Sequence, residues 1–221
     1  MKLFVFIFFF IFPGIILHAQ STAGITGVRD TSYNINNEYS KHLKNYPYLK
    51  IVAEKAYPYV IEEKNIPYCS TKERELKLDV FYPSEKTERK RTAIIFIHGG
   101  GWRSGNKAMH YPLLQQLAAL GYVCITPEYR LSTEALYHAA IYDIKTVIRW
   151  TRKNARKYNI DENRIVASGH SAGGELAAFT GATNSKSAFE GNGCYKEFSS
   201  KANAVIDLDG TLAFIHPESG E

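Results

Sequence analysis

The sequence predicts an α/β fold, a mostly parallel sheet with helices on both faces. Three observations predict it. Residues 93–97, 122–126 and 204–208 are short apolar runs of strand length, the pattern of strands covered on both sides. Segments with apolar residues at helical spacing separate them. The order strand, helix, strand repeats along the chain, and that alternation builds a parallel sheet.

Each element has its own warrant. Residues 1–19 read as a secretory signal peptide: Lys2 is followed by the apolar run 3–12, the turn-like Pro13-Gly14, a second short apolar run and the small Ala19. Residues 20–74 form a polar N-terminal lead rich in Asn, Tyr and Lys, with a helix expected over 38–57. The main domain is expected over 75–221. Leu76, Leu78, Val80 and Tyr82 alternate with their neighbours as in a half-buried strand, which Pro83 stops. A charged turn spans 84–91 and the buried strand 93–97 follows. A helix over 111–120 is closed by Gly121, and the strand 122–126 comes next. The longest helix is expected over 134–157, where Ile141, Ile144, Val147, Ile148 and Thr151 share a face and basic residues crowd the end. A turn at 159–161 leads to a strand over 164–168, a helix over 172–180, a Ser/Asn/Gly-rich loop and the strand 204–208.

Composition narrows the function classes. With 45% hydrophobic and 13% aromatic residues the chain has ample surface to bury, which excludes disorder as its main state. Lys and Arg number 27 against 22 Asp and Glu, a net +5 that falls to +4 without Lys2. These charges are spread along the chain, so no nucleic-acid partner is expected. Three cysteines in an exported protein leave at least one thiol unpaired. Cys124, inside an apolar strand, is expected to be a buried free thiol. Cys69 and Cys194 lie in loop-like segments, and whether they pair is open. No CxxC and no metal-ligand spacing of histidines occurs, so neither metal nor cofactor is expected.

Two motifs carry chemistry. Gly169-His170-Ser171-Ala172-Gly173 is a G-x-S-x-G between an apolar strand and a helix-forming run. That setting makes a nucleophile elbow, a turn so tight that the serine is strained and its hydroxyl is aimed outward at the helix's positive end. Side chains at positions 169 and 173 would collide with the neighbouring strand and helix. The bland alternative is a helix cap, since Ser is a favoured N-cap. The second motif is His98-Gly-Gly-Gly-Trp102, directly after a buried strand. Successive glycines leave backbone N–H groups open to a ligand. In acyl transfer two such donors stabilise the developing oxyanion, and the expected donors are Gly100 or Gly101 together with Ala172. A plain turn is the alternative. A phosphate loop is excluded because Gly-Lys-Ser/Thr is absent.

With these motifs in place, His98 to Trp102 and Gly169 to Gly174 resemble the α/β-hydrolase esterases of the hormone-sensitive-lipase and acetylxylan/feruloyl-esterase (BD-FAE-like) group. Glu128-Tyr-Arg-Leu131 and the helix carrying His138-Ala-Ala-Ile-Tyr-Asp143, Arg149-Trp150 and Asn154 resemble the same families, so the likeness runs from residue 75 to 216. It implies the α/β-hydrolase fold and acyl-ester hydrolysis with Ser171 as nucleophile. It gives Arg130 and Asp143 structural roles. The family's order of Ser, then acid, then His excludes His98 as the base and leaves it to orient the glycine loop, while His170 is structural or at the pocket's margin. The resemblance also implies further strands after residue 208, whose loops carry the acid and the histidine. After Ser171 the sequence offers only Asp207, Asp209 and His216, too close together to follow different strands. The last strands are therefore expected to be missing, with acid and base beyond Glu221. Trp102 and Asp209 are expected to line the substrate pocket. The implied substrate is a small ester or an acylated polysaccharide, in a secreted or periplasmic setting with no stable membrane association after signal cleavage. A prolyl-oligopeptidase-like peptidase and a catalytically dead hydrolase that binds carbohydrate are the alternatives.

Overall fold

The structure is a computed structural model, and it describes residues 22–213. The expected signal peptide and His216 lie outside the described residues. The chain forms one six-stranded sheet of order β1-β2-β4-β3-β5-β6, with β1 at Val60–Ser70, β2 at Glu75–Pro83, β3 at Arg91–Ile97, β4 at Val123–Pro127, β5 at Ile160–His170 and β6 at Ala204–Leu208. β4, β3, β5 and β6 run parallel. β1 and β2 run antiparallel to their neighbours. The sheet is mostly parallel, as the alternating pattern predicts.

Helices cover both faces. α2 (Tyr111–Ala119) packs Tyr111, Leu114 and Ala118 against Phe81, Phe96 and Cys124. α3 (His138–Lys153) and α4 (Ala172–Ala182) cover the opposite face, where Ile141, Ile144, Val147, Ile148 and Leu176 meet Ile95, Ile97, Val123 and Ile125. The pleat accounts for this sorting: Ile95 and Phe96 are neighbours in sequence but point to opposite faces.

Several boundaries differ from the sequence expectation, each for a local reason. The first helix, α1, is Ile35–Leu43 rather than 38–57, because Asn34 caps it by accepting from Asn37 N at 3.0 Å. Pro47 then disfavours helix at Tyr46. α3 starts at His138 rather than 134, since the Glu134 carboxylate folds back onto Leu131 N (3.0 Å) and Arg74 (2.6 Å). It stops at Lys153, where the Asn154 amide donates to Trp150 O at 2.8 Å. β5 is longer than 164–168 because Asn159, with φ +54, turns the chain and lets Ile160 pair with Arg91. β1 falls within residues 20–74, so the sheet takes in part of the segment read as a lead. Two irregularities, between Glu63 and Ile66 and between Pro67 and Cys69, erase its alternation, and only Tyr68 on it is buried.

Cys69 and Cys194 are bonded, with Cα atoms 5.8 Å apart and 125 residues between them. The bond ties the end of β1 to the loop between α4 and β6. Cys124 is free and buried, and burial pushes its thiol pKa up. Replacing both bonded cysteines with serine is expected to cost about 2–4 kcal/mol of unfolding free energy, read as a lower urea midpoint. An unchanged midpoint would mean that the unfolded chain gains nothing from losing this constraint.

Candidate active site

Ser171 stands between β5 and α4 with φ +54 and ψ −123, a region that side-chain-bearing residues rarely occupy. The turn is fixed from both sides: Ser171 N donates to Leu208 O at 2.9 Å, and Glu175 N donates to Ser171 O at 3.1 Å. The Ser171 hydroxyl makes no capping bond to the helix, so the helix-cap alternative fails. The two elbow glycines are needed because there is no room beside them. A Cβ on Gly169 would stand 2.2 Å from Gly173 O, and one on Gly173 would stand 2.1 Å from Ile97 O.

The glycine run abuts this elbow. A Cβ on Gly99 would lie 3.2 Å from Ser171 Cβ and 2.8 Å from His170 O. Gly100, Gly101 and Trp102 follow with φ of +118, +59 and +57, three successive left-handed residues that curl the backbone. Ser104 N then donates back to Gly100 O at 3.0 Å. Ala172, buried, opens α4, whose first N–H groups have no intrahelical acceptor. Elbow and loop thus bring a hydroxyl and backbone donors to one place at the positive end of a helix.

His98 lies wholly under the loop. Its Nδ1 donates to Gly99 O at 2.7 Å, and its ring stacks on Tyr129, 4.5 Å between centroids, while the Tyr129 hydroxyl donates to His98 O at 2.9 Å. Burial lowers its pKa to about 3, so it stays neutral and props the loop. His110, packed 4.6 Å from Phe96 and 6.1 Å from His170, is lowered to about 4 by burial and then by His170. Both fall below the ordinary 6.5, so the unfolded chain binds their protons more readily. Their contribution to stability is complete above pH 6.5 and is lost as pH falls toward 4 and 3. Urea titrations at stepped pH are expected to lose roughly 1.4 kcal/mol per pH unit for a buried histidine within that window. A flat stability from pH 6.5 to 4 would show that neither ring is dry.

An N-terminal strap that no sequence pattern marks lies over this loop. Asp30 pairs with Ser104, whose hydroxyl donates to Asp30 Oδ1 at 3.1 Å and accepts from Tyr33 N at 2.8 Å. Arg29 reaches Gly105 O at 3.4 Å and Glu128 at 2.9 Å. The Tyr33 ring lies on Gly100, 3.0 Å from where a Cβ there would be. No periodicity marks residues 29–33, and only Asp30 and Ser32 hint at turn chemistry.

Trp102 lines a cavity of ≈ 740 Å³ together with Tyr137, Glu175, Leu176, Phe179 and Leu212. Its Nε1 donates to Glu175 Oε2 at 3.1 Å. Burial, and the nearby Asp207 carboxylate, push Glu175 above the usual carboxylate range despite that bond. Asp209 does not line this cavity. It is exposed at the end of β6 with φ +61, and Thr211 and Leu212 stand there in its place. Asp207 turns inward and accepts from Gly210 N at 2.9 Å. Arg130 grips Asp143 with two bonds, of 2.9 and 2.8 Å, and braces α3 against the segment after β4. Among the described residues, no cluster of His, Cys, Asp and Glu fits a metal ion.

The chain resembles known proteins along the same stretch. The BD-FAE family model matches residues 78–221. Esterase LipC of Mycobacterium tuberculosis is 38% identical over 107 residues, 48% of this chain and 27% of that protein. Bovine arylacetamide deacetylase is 35% identical over 121 residues, 52% of this chain and 30% of that protein. Among solved structures, apo Thermogutta terrifontis esterase 2 superposes with a TM-score of 0.62 at 30% identity, covering 80% of this chain and 62% of that one. The same esterase phosphorylated by paraoxon gives 0.62 at 30%, covering 78% and 65%. The chain spans less than a third of the length of these curated relatives. Strand order, elbow, glycine loop and family match agree that the chain belongs to the BD-FAE family of α/β-hydrolase esterases.

Proposed function

We propose that this protein is an exported serine carboxylic-ester hydrolase that removes acetyl or feruloyl groups from polysaccharide. The observation that carries the reading is Ser171 at φ +54, its hydroxyl free of the helix cap and its Cβ beside the glycine loop. In this mechanism Ser171 Oγ attacks the ester carbonyl carbon as its proton passes to a histidine. The carbonyl oxygen becomes an oxyanion, held by N–H groups of Gly100 or Gly101 and of Ala172. The tetrahedral centre collapses, the alcohol leaves with the proton, and water releases the acid by the same steps in reverse. His98 is not that base, because it is buried and committed to Gly99 O.

Export is supported by the Cys69–Cys194 bond, which suits an oxidising compartment. The carbohydrate reading is supported by family membership and by the aromatic walls of the cavity beside Trp102. A fluorophosphonate probe followed by peptide mass mapping is expected to label Ser171, and acetylated xylo-oligosaccharides and feruloyl arabinose are expected to release acid. Absence of label on Ser171 overturns the hydrolase reading. Labelling with turnover of aryl acetates but none of the acylated saccharides leaves an esterase and removes the polysaccharide.

A further inference from the structure

Three buried cations project from one face of α3. Lys145, Arg149 and Arg152 follow at i, i+4 and i+7, and only 0%, 3% and 8% of each is exposed. They meet the loop between α4 and β6. Lys145 Nζ donates to Thr183 O at 2.9 Å and to Glu190 Oε1 at 3.1 Å. Arg149 Nη2 donates to Glu190 O at 2.9 Å and pairs with Glu190 Oε2. Arg152 donates to the carbonyls of Ser199 and Lys201, both at 2.6 Å, and to Asn203 Oδ1. One carboxylate therefore serves two buried cations, and Ser200 donates to it as well. Arg152 finds only neutral acceptors. Arg149 Nη1 is buried and has no hydrogen-bond partner among the described residues.

A cavity of ≈ 480 Å³ opens beside this group, lined by Arg149, Glu190, Lys196, Ser199, Ser200 and Lys201 among others. Its lining carries three cations and one acid. A guanidinium taken out of water needs a counter-charge and needs its donors filled, or the desolvation goes uncompensated. The planar fork of Arg149 has spent one arm on Glu190 and keeps the other free, a shape suited to an oxyanion. We infer that this cavity binds a compact oxyanion, a phosphate, sulfate or sugar carboxylate, with the Arg149 guanidinium in its wall and Lys196 and Lys201 at its mouth. Ser199 Oγ, which accepts from Lys201 N, keeps its own proton for the ligand. The site lies past the C-terminal end of α4, and that helix of 11 residues separates it from Ser171 by about 16 Å. It is therefore distinct from the ester site and independent of the proposed hydrolysis.

The test is isothermal titration and thermal unfolding of the purified protein with sodium phosphate, sodium sulfate and sodium glucuronate, at ionic strength held constant with chloride. One-site binding with a raised melting temperature is expected for at least one of the three. A stronger response to phosphate or sulfate identifies a free inorganic ion, and a stronger response to glucuronate identifies an acidic saccharide. Lys196→Ala/Lys201→Ala, both at exposed or mouth positions, is expected to weaken binding about tenfold or more while leaving the fold intact. Arg149→Lys keeps the buried charge but loses the fork, and is expected to weaken binding as well. The inference is overturned if none of the anions binds above chloride, or if both variants bind as the parent does.

Discussion

Ser171→Ala is expected to reduce ester hydrolysis by a factor on the order of 10⁶, to the level of the unassisted site. The residual rate then comes from the backbone donors and from substrate binding, which the substitution leaves in place. Ser171→Gly should lose as much activity, yet the two variants should differ in stability. At φ +54 and ψ −123 the backbone of any residue with a Cβ is strained by about 1–3 kcal/mol. Alanine retains that strain and glycine releases it. Glycine also adds about 0.5–1 kcal/mol of entropy loss on folding, so its net gain is on the order of 1 kcal/mol. Urea midpoints of the three proteins, measured beside aryl-acetate turnover, check both halves. If Ser171→Gly is no more stable than Ser171→Ala, the elbow does not store strain. If either variant retains turnover, the nucleophile lies elsewhere.

What the sequence revealed follows from where its signals are local. β3 was legible because five consecutive apolar residues must be covered on both faces, and α3 because its buried residues recur at helical spacing. The elbow was legible because its five-residue motif is contiguous and the strand and helix around it have their own patterns. The room for Gly169 is limited locally by Gly173 O, whereas Gly173 is crowded by Ile97 O and His98 O, far away in sequence. β1 was not legible. Two irregularities break its alternation, and only Tyr68 on it is buried. The strap at residues 29–33 was hidden for a different reason. Its bonds run to Ser104 and Gly105, more than 70 residues away, and hydroxyl and carboxylate partners leave no period in either segment. The pairing of Cys69 with Cys194 likewise needed coordinates, because β1 had to be placed first. Of the buried cations of α3, only Arg152 was read as one of the basic residues suited to the helix end, and the partners of all three lie in a loop with no pattern of its own.

Gly173→Ala is expected to prevent stable folding, where Gly101→Ala does not. The comparison separates two costs that glycine avoids. At Gly101 the backbone has φ +59, but nothing stands within 4 Å of an added Cβ, so alanine meets only the left-handed penalty of about 1–2 kcal/mol. At Gly173 the conformation is helical and imposes no such penalty. There the added carbon would stand 2.1 Å from Ile97 O and 2.7 Å from His98 O. Those oxygens belong to the end of β3, which is held between β4 and β5, and to the residue whose ring lies buried under the glycine loop. Neither can retreat without opening the sheet at its centre, so α4 must lift instead. Lifting α4 exposes Leu176 and Ala177 and moves Ser171 away from the loop. A backbone clash of this size belongs with the rare substitutions that cost more than about 4 kcal/mol, a large part of the roughly 5–15 kcal/mol that holds a domain together. Soluble yield, circular dichroism and urea unfolding of the two alanine variants are the measurements. Gly101→Ala should remain folded with a modestly lower midpoint, and Gly173→Ala should accumulate as insoluble or unfolded chain. Equal midpoints for the two would mean that α4 rides further from β3 than this structure places it, and the close seat that aims Ser171 at the glycine loop would be lost with it.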